Sequence, residues 1–129
     1  MPLIRIDLEE GRSDAELRAL LDAAHEAVLE AFGVPQRDRY QIITEHKPGR
    51  MILQDTGLGF ERSSKAVVVQ VFTSPRTTQM KQDFYRLLTE KLHSKCGIAP
   101  CDVLISLMNN SKEDWSFGFG RAQFLTGEL

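Results

Sequence analysis

Residues 20–38, LLDAAHEAVLEAFGVPQRD, and residues 84–102, FYRLLTEKLHSKCGIAPCD, decide the fold when one is laid over the other. Gly33 falls on Gly97, 64 positions later, and at the same offset Val34 falls on Ile98 and Asp38 on Asp102. The apolar positions agree as well, since Leu20 meets Phe84, Ala24 meets Leu88 and Val28 meets Leu92. In each copy these positions recur at the spacing of one helix face, and a glycine stands where a helix would end in a left-handed turn. Two matching helices with matching stops point to an internal duplication.

Working outward, Leu3 to Leu8 comes close to the alternation of a half-buried strand, and Ser13 with Glu16 has capping-box spacing for a helix running to Phe32. A strand is expected at Tyr40 to His46, followed by a Pro48-Gly49 turn, a short strand at Met51 to Leu53 and a loop through Gly57 and Gly59. The second copy offers a strand at Ala66 to Thr73, a helix from about Thr77 to Lys95 and a strand at Val103 to Met108. The order is βαβ twice, with the repeat spanning roughly 2–48 and 66–110 of one domain, 1–129. Such a chain is α+β, with a four-stranded sheet and both helices on one face. The other face keeps many apolar side chains and predicts an oligomer.

A formal charge of -2 and a pI near 5.9 leave no basic stripe for a phosphate backbone, so nucleic acid is not an expected partner. The apolar segments Ala66 to Val69 and Val103 to Leu107 are strand-sized, far short of the ~20 residues of a membrane span, and the first seven residues carry charges unlike a signal peptide. A cytoplasmic protein that does not engage membrane is expected. Cys96 and Cys101 have only His93 near them in sequence, too few ligands for a usual zinc set, and are read as reduced structural thiols. Neither a metal nor a cofactor is expected.

Pro2 is the most specific chemical candidate, because a small second residue lets Met1 be removed and leaves a secondary amine at the chain end. Buried near cations, that amine becomes a base available at neutral pH; alternatively Pro2 simply starts an edge strand. Arg76, in Thr73-Ser74-Pro75-Arg76 at a strand-to-helix junction, could anchor a carboxylate or be a solvated arginine. Ser74 before Pro75 reads as the N-cap of the second helix. Asp38 could position a water or a proton, although its repeat partner Asp102 favours a shared structural role. Tyr40 could donate a hydrogen bond or serve as core. Trp115, Phe117 and Phe119, spaced by two with Gly118 and Gly120, suggest a pocket wall, an interface or a plug of the core. His25, His46 and His93 share no metal or triad spacing.

Several of these stretches together resemble the malonate semialdehyde decarboxylase group of the tautomerase superfamily, nearly end to end. They are Pro2, LLDAAH at 20–25, AFGVP at 31–35, DRYQ at 38–41, DTGLG at 55–59, DWSFG at 114–118 and FLTG at 124–127. The resemblance implies a trimer, a terminal proline acting as acid or base at Pro2, an assisting aspartate at Asp38, and an apolar wall at Trp115, Phe117 and Phe124. It also implies two arginines flanking the proline ahead of the second helix. Here the downstream one is Arg76 and the upstream position is Ser74, while a further arginine position holds Phe119.

One missing cation weakens the case for C–C cleavage, which needs the enolate stabilised as CO₂ leaves. Keto–enol transfer in a small 2-oxo acid such as phenylpyruvate needs only a base and a carboxylate anchor. The expected enzyme is therefore a tautomerase with Pro2 as base, Arg76 as anchor and Asp38 and Tyr40 assisting, with Ser74, Trp115, Phe117, Phe119 and Phe124 around the substrate. Decarboxylation or hydration of a 3-oxo acid is the alternative reaction, and a non-catalytic trimeric binding module the alternative class.

Overall fold

The computed structural model describes all of residues 1–129. The main elements run β1 (Leu3–Glu9), α1 (Asp14–Phe32), β2 (Tyr40–His46), β3 (Val67–Thr73), α2 (Thr78–Cys96), β4 (Val103–Asn109) and a short α3 (Gln123–Thr126). The strands form one sheet in the order β2-β1-β3-β4. Each unit contributes a parallel pair, and the two units meet through the antiparallel pairing of β1 with β3. This is the expected duplicated βαβ fold.

Strand alternation sends Ile4, Ile6 and Leu8 of β1, with Val67, Val69 and Val71 of β3, to the face covered by the helices. From the helices, Leu20, Ala24 and Val28 meet their repeat partners Phe84, Leu88 and Leu92 in that core, all at most 1% exposed. Phe32 stacks on Phe84 with centroids 5.0 Å apart. No helix is long and apolar enough to cross a membrane.

The repeat is exact over the helices, both 19 residues long, and each ends at a left-handed glycine, φ 64° at Gly33 and 67° at Gly97. Their N-caps also correspond: Ser13 forms the anticipated capping box with Glu16, and Thr77, 64 positions on, accepts from the Met80 backbone N–H. Ser74 is therefore not the cap of α2. It lies three residues upstream, and Pro75 and Arg76 belong to the link rather than to the first helical turn.

Between helix and returning strand the symmetry breaks. β1 pairs Leu3 with Tyr40, whereas β3 pairs Val67 with Val103, so the second connection is one residue shorter. Asp38 and Asp102 are consequently not equivalent, and the structural role expected from their pairing does not transfer. Asp102 is buried and accepts from both the backbone N–H and the hydroxyl of Ser63, at 2.7 and 2.6 Å. The Asp38 side chain has no such partner.

The expected strand at Met51 to Leu53 does not form. The side chains there do alternate, with Ile52 83% exposed between half-buried neighbours, but the segment crosses from one sheet edge toward the centre and meets no strand to pair with. Asp55 organises the link instead, its carboxylate accepting from the N–H groups of Gly57, Gly59 and Phe60.

The uncovered face carries Leu3, Tyr40, Ile42, Val68, Phe72, Leu104 and Met108, interrupted by a polar band in which His46 meets Asp7 at 2.7 Å. Thermal or denaturant unfolding should show Thr77→Ala to be less stable by ~1 kcal/mol, the usual effect of losing an N-cap, and Ser74→Ala to be as stable as the parent.

Candidate active site

Strand register assembles the site. Leu3 pairs with Phe72 on one side and with Tyr40 on the other, so the residues just before β1 lie beside the end of β3 and the start of β2. Pro2 is buried there. The chain end, the Ser74-Pro75-Arg76 link and the turn holding Asp38 thus converge from three distant parts of the sequence.

They line a cleft of about 420 Å³ with Met1, Phe32, Gly33, Val34, Pro35, Lys112, Phe124 and Leu129. Its walls are mainly apolar, and its charged side chains are Asp38, Arg76 and Lys112. Arg76 is half-buried; its Nε donates to Thr73 Oγ1 at 3.1 Å, and its guanidinium lies over the Phe32 ring, 4.9 Å from the centroid. These contacts orient the fork and leave the two terminal nitrogens for a ligand. No carboxylate comes within ion-pair distance. Burial lowers the Arg76 pKa and the charge of Asp38 opposes that shift, so the site holds a partly desolvated cation in want of an anion.

The terminal amine, carried by Met1 in this chain, has its pKa lowered by burial first and by the Arg76 cation second, with Asp38 pulling the other way. An amine in this position is a neutral base at lower pH than one in water. No group of three or more His, Cys, Asp or Glu side chains is arranged to hold a metal ion.

Pro2, Arg76, Asp38, Ser74 and Phe124 are thus brought together. Tyr40, Trp115 and Phe117 form an aromatic row behind Phe124: Phe117 stacks on Trp115 at 5.4 Å and on Tyr40 at 5.8 Å and meets Phe124 edge-on at 5.3 Å. They support the wall without lining the cleft of their own chain. Phe119 stands apart, 91% exposed, with φ 58° and Arg121 over its ring, because the left-handed backbone there turns its side chain outward.

The sequence reading missed Phe32, Val34, Pro35, Thr73 and Lys112. Phe32 and Thr73 were counted only as helix and strand residues, and Lys112 lies beyond the repeat, where no periodicity speaks.

Fold and cleft define a small βαβ-duplicated protein with its amino terminus in an anion-receptive pocket. Comparison with known proteins supplies the family. Two tautomerase enzyme family models match, one over residues 38–118 and one over residues 2–61. The chain is 56% identical over 129 residues to the "probable tautomerase" YrdN of Bacillus subtilis (strain 168), covering all of both chains. Among solved structures it is similar to a malonate semialdehyde decarboxylase whose decarboxylase and hydratase activities were given a structural basis, with 54% identity, TM-score 0.96 and 98% of each chain covered. A second malonate semialdehyde decarboxylase, inhibited by 3-bromopropiolate, is 48% identical with TM-score 0.94, over 98% of this chain and 97% of its own. The chain belongs to the tautomerase superfamily. It is accordingly an enzyme of the isomerase or decarboxylase kind.

The amine's surroundings give a signed expectation for NMR titration of the terminal residue. Arg76→Gln removes the nearby cation and should raise the amine pKa toward its ordinary value. Asp38→Asn removes the opposing anion and should lower it further.

Proposed function

We propose that this enzyme is a tautomerase of small 2-oxo acids in which the amine of Pro2, freed by removal of Met1, is the proton-transfer base. The observation that carries this reading is the Met1 amine, one residue beyond Pro2, in one cleft with Arg76 and Asp38, its pKa lowered by burial and by the guanidinium. Arg76, whose terminal nitrogens have no protein carboxylate, holds the substrate carboxylate and polarises the adjoining carbonyl. The neutral amine takes a proton from C3, and a proton is delivered to the carbonyl oxygen as the C2–C3 double bond forms. Asp38 sits where it can position that proton or the ammonium that now carries it. Phe32, Val34 and Phe124 exclude water from the developing enol.

Decarboxylation of a 3-oxo acid is the second reading, favoured by the 54% identity to a decarboxylase. Ser74 in place of a flanking arginine sets the balance between the two. A homotrimer is part of the proposal: the apolar side chains of the uncovered sheet face would be buried between copies, and the aromatic row then lies near the junction of subunits. Sedimentation at three times the 14.6 kDa chain mass supports this, and a stable monomer would count against it.

Mass spectrometry should find Met1 absent from active protein; full activity with Met1 retained would rule the proline mechanism out. Pro2→Ala should impair phenylpyruvate tautomerisation without unfolding the protein, and a non-catalytic binding module would show no such activity to lose. Arg76→Ala should lower kcat/KM by roughly two to four powers of ten, in line with loss of a charge-assisted contact. Because the base must be neutral, kcat/KM should rise with pH through the amine pKa and level off above it. Ser74→Arg should raise malonate semialdehyde decarboxylation relative to tautomerisation; an unchanged ratio in the folded variant defeats the role given to Ser74.

A further inference from the structure

The cleft holds a second cation that the chemistry above does not use. Lys112 is the first residue of a short 3-10 turn, Lys112–Asp114, that follows β4. This turn is fixed at both ends: the Asp114 carboxylate accepts from the Ser111 backbone N–H at 2.7 Å and from its hydroxyl at 2.9 Å, and Trp115 Nε1 donates to Asn110 Oδ1 at 2.8 Å. Asn110 in turn donates its backbone N–H to the carbonyl of Thr73 at 2.9 Å. Thr73 is fully buried, and its hydroxyl is the group that accepts from Arg76. Lys112 and Arg76 are therefore both tied through their segments to one buried residue and both line the cleft, and neither has a carboxylate within ion-pair distance. Of the two acids in the turn, Asp114 is occupied by Ser111, and Glu113 is exposed and makes no ion pair with Lys112.

Two unpaired cations of different character face one small cleft. The half-buried guanidinium suits a carboxylate taken out of water, and the exposed, flexible ammonium suits one that stays at the mouth. We infer that Lys112 is a specificity residue that binds the far carboxylate of a small oxo dicarboxylate, while Arg76 binds the carboxylate next to the reacting carbonyl. The inference rests on the tautomerase reading for the reaction but on the pair of cations for the ligand, and the two are tested apart.

Kinetics on 2-oxobutanedioate and phenylpyruvate should show Lys112→Gln lowering the ratio of kcat/KM for the diacid over the monoacid by about fivefold, chiefly through KM, as expected for an exposed ion pair. Lys112→Arg should restore the ratio, and Lys47→Gln, far from the cleft, should leave it alone. Equal losses on both acids, or no change on the diacid, overturns the inference while the reaction stands. If the parent tautomerises neither acid, the reaction fails, and Trp115 fluorescence still decides the ligand. Butanedioate should then bind more tightly than butanoate in the parent, and that preference should shrink in Lys112→Gln. Equal binding of the two would reject the role of Lys112.

Discussion

The antiparallel pairing of β1 with β3 is the constraint on which the site depends. Each βαβ unit could form its parallel pair alone, but only the central seam sets Leu3 opposite Phe72 and so carries the first residues to the end of β3. Parallel pairing with β2 then adds the residues before Tyr40. A slip of one residue along either ladder would exchange the two faces of the strand and withdraw Pro2 from Arg76. The buried rows of Ile4, Ile6 and Leu8 and of Val67, Val69 and Val71 oppose that slip, so core burial also fixes where the chain end lies relative to Arg76.

The charges of the cleft form a balanced set around the amine. Arg76 lowers its pKa and Asp38 raises it, while burial favours the neutral form throughout. A base tuned by opposed neighbours is sensitive to either of them. The same neighbours define the space a substrate must fill, because an anion on Arg76 would partly cancel the cation's effect on the amine and raise its basicity once the complex forms.

Much of this was readable before any coordinates. The offset of 64 between Gly33 and Gly97 located both helices, and strand-like patterning located all four sheet strands. It failed at Met51 to Leu53, where a strand-like pattern has no neighbour to bond. It also misled over Ser74, since Ser-Pro looks like a helix start, whereas the repeat itself pointed from Ser13 to Thr77. Asp38 was discounted for its match to Asp102 because a sequence offset cannot show that the second connection is one residue shorter. Pro2 and Arg76 stood out by their residue types and places in the chain, and Phe124 through resemblance to a family. Lys112 was not found, because a lysine in a tail without periodicity carries no signal until a buried threonine is seen to hold its turn beside Arg76.

The two halves of the duplication also differ at the places that meet the cleft. At the positions corresponding to Pro2, Phe32 and Arg76 the other unit has Ala66, Cys96 and Arg12, and Arg12 is spent on the Lys65 carbonyl at 2.7 Å. The second unit's strand entry and helix end are scaffold, with Asp102 locked to Ser63 and burial holding the Cys96 thiol above its usual pKa. The division runs both ways between the halves: the chain end lines the cleft where its counterpart Ala66 is packed in the core, whereas Arg76 lines the cleft where its counterpart Arg12 holds a backbone carbonyl. A duplicated fold can thereby drift toward specialisation without altering its outline.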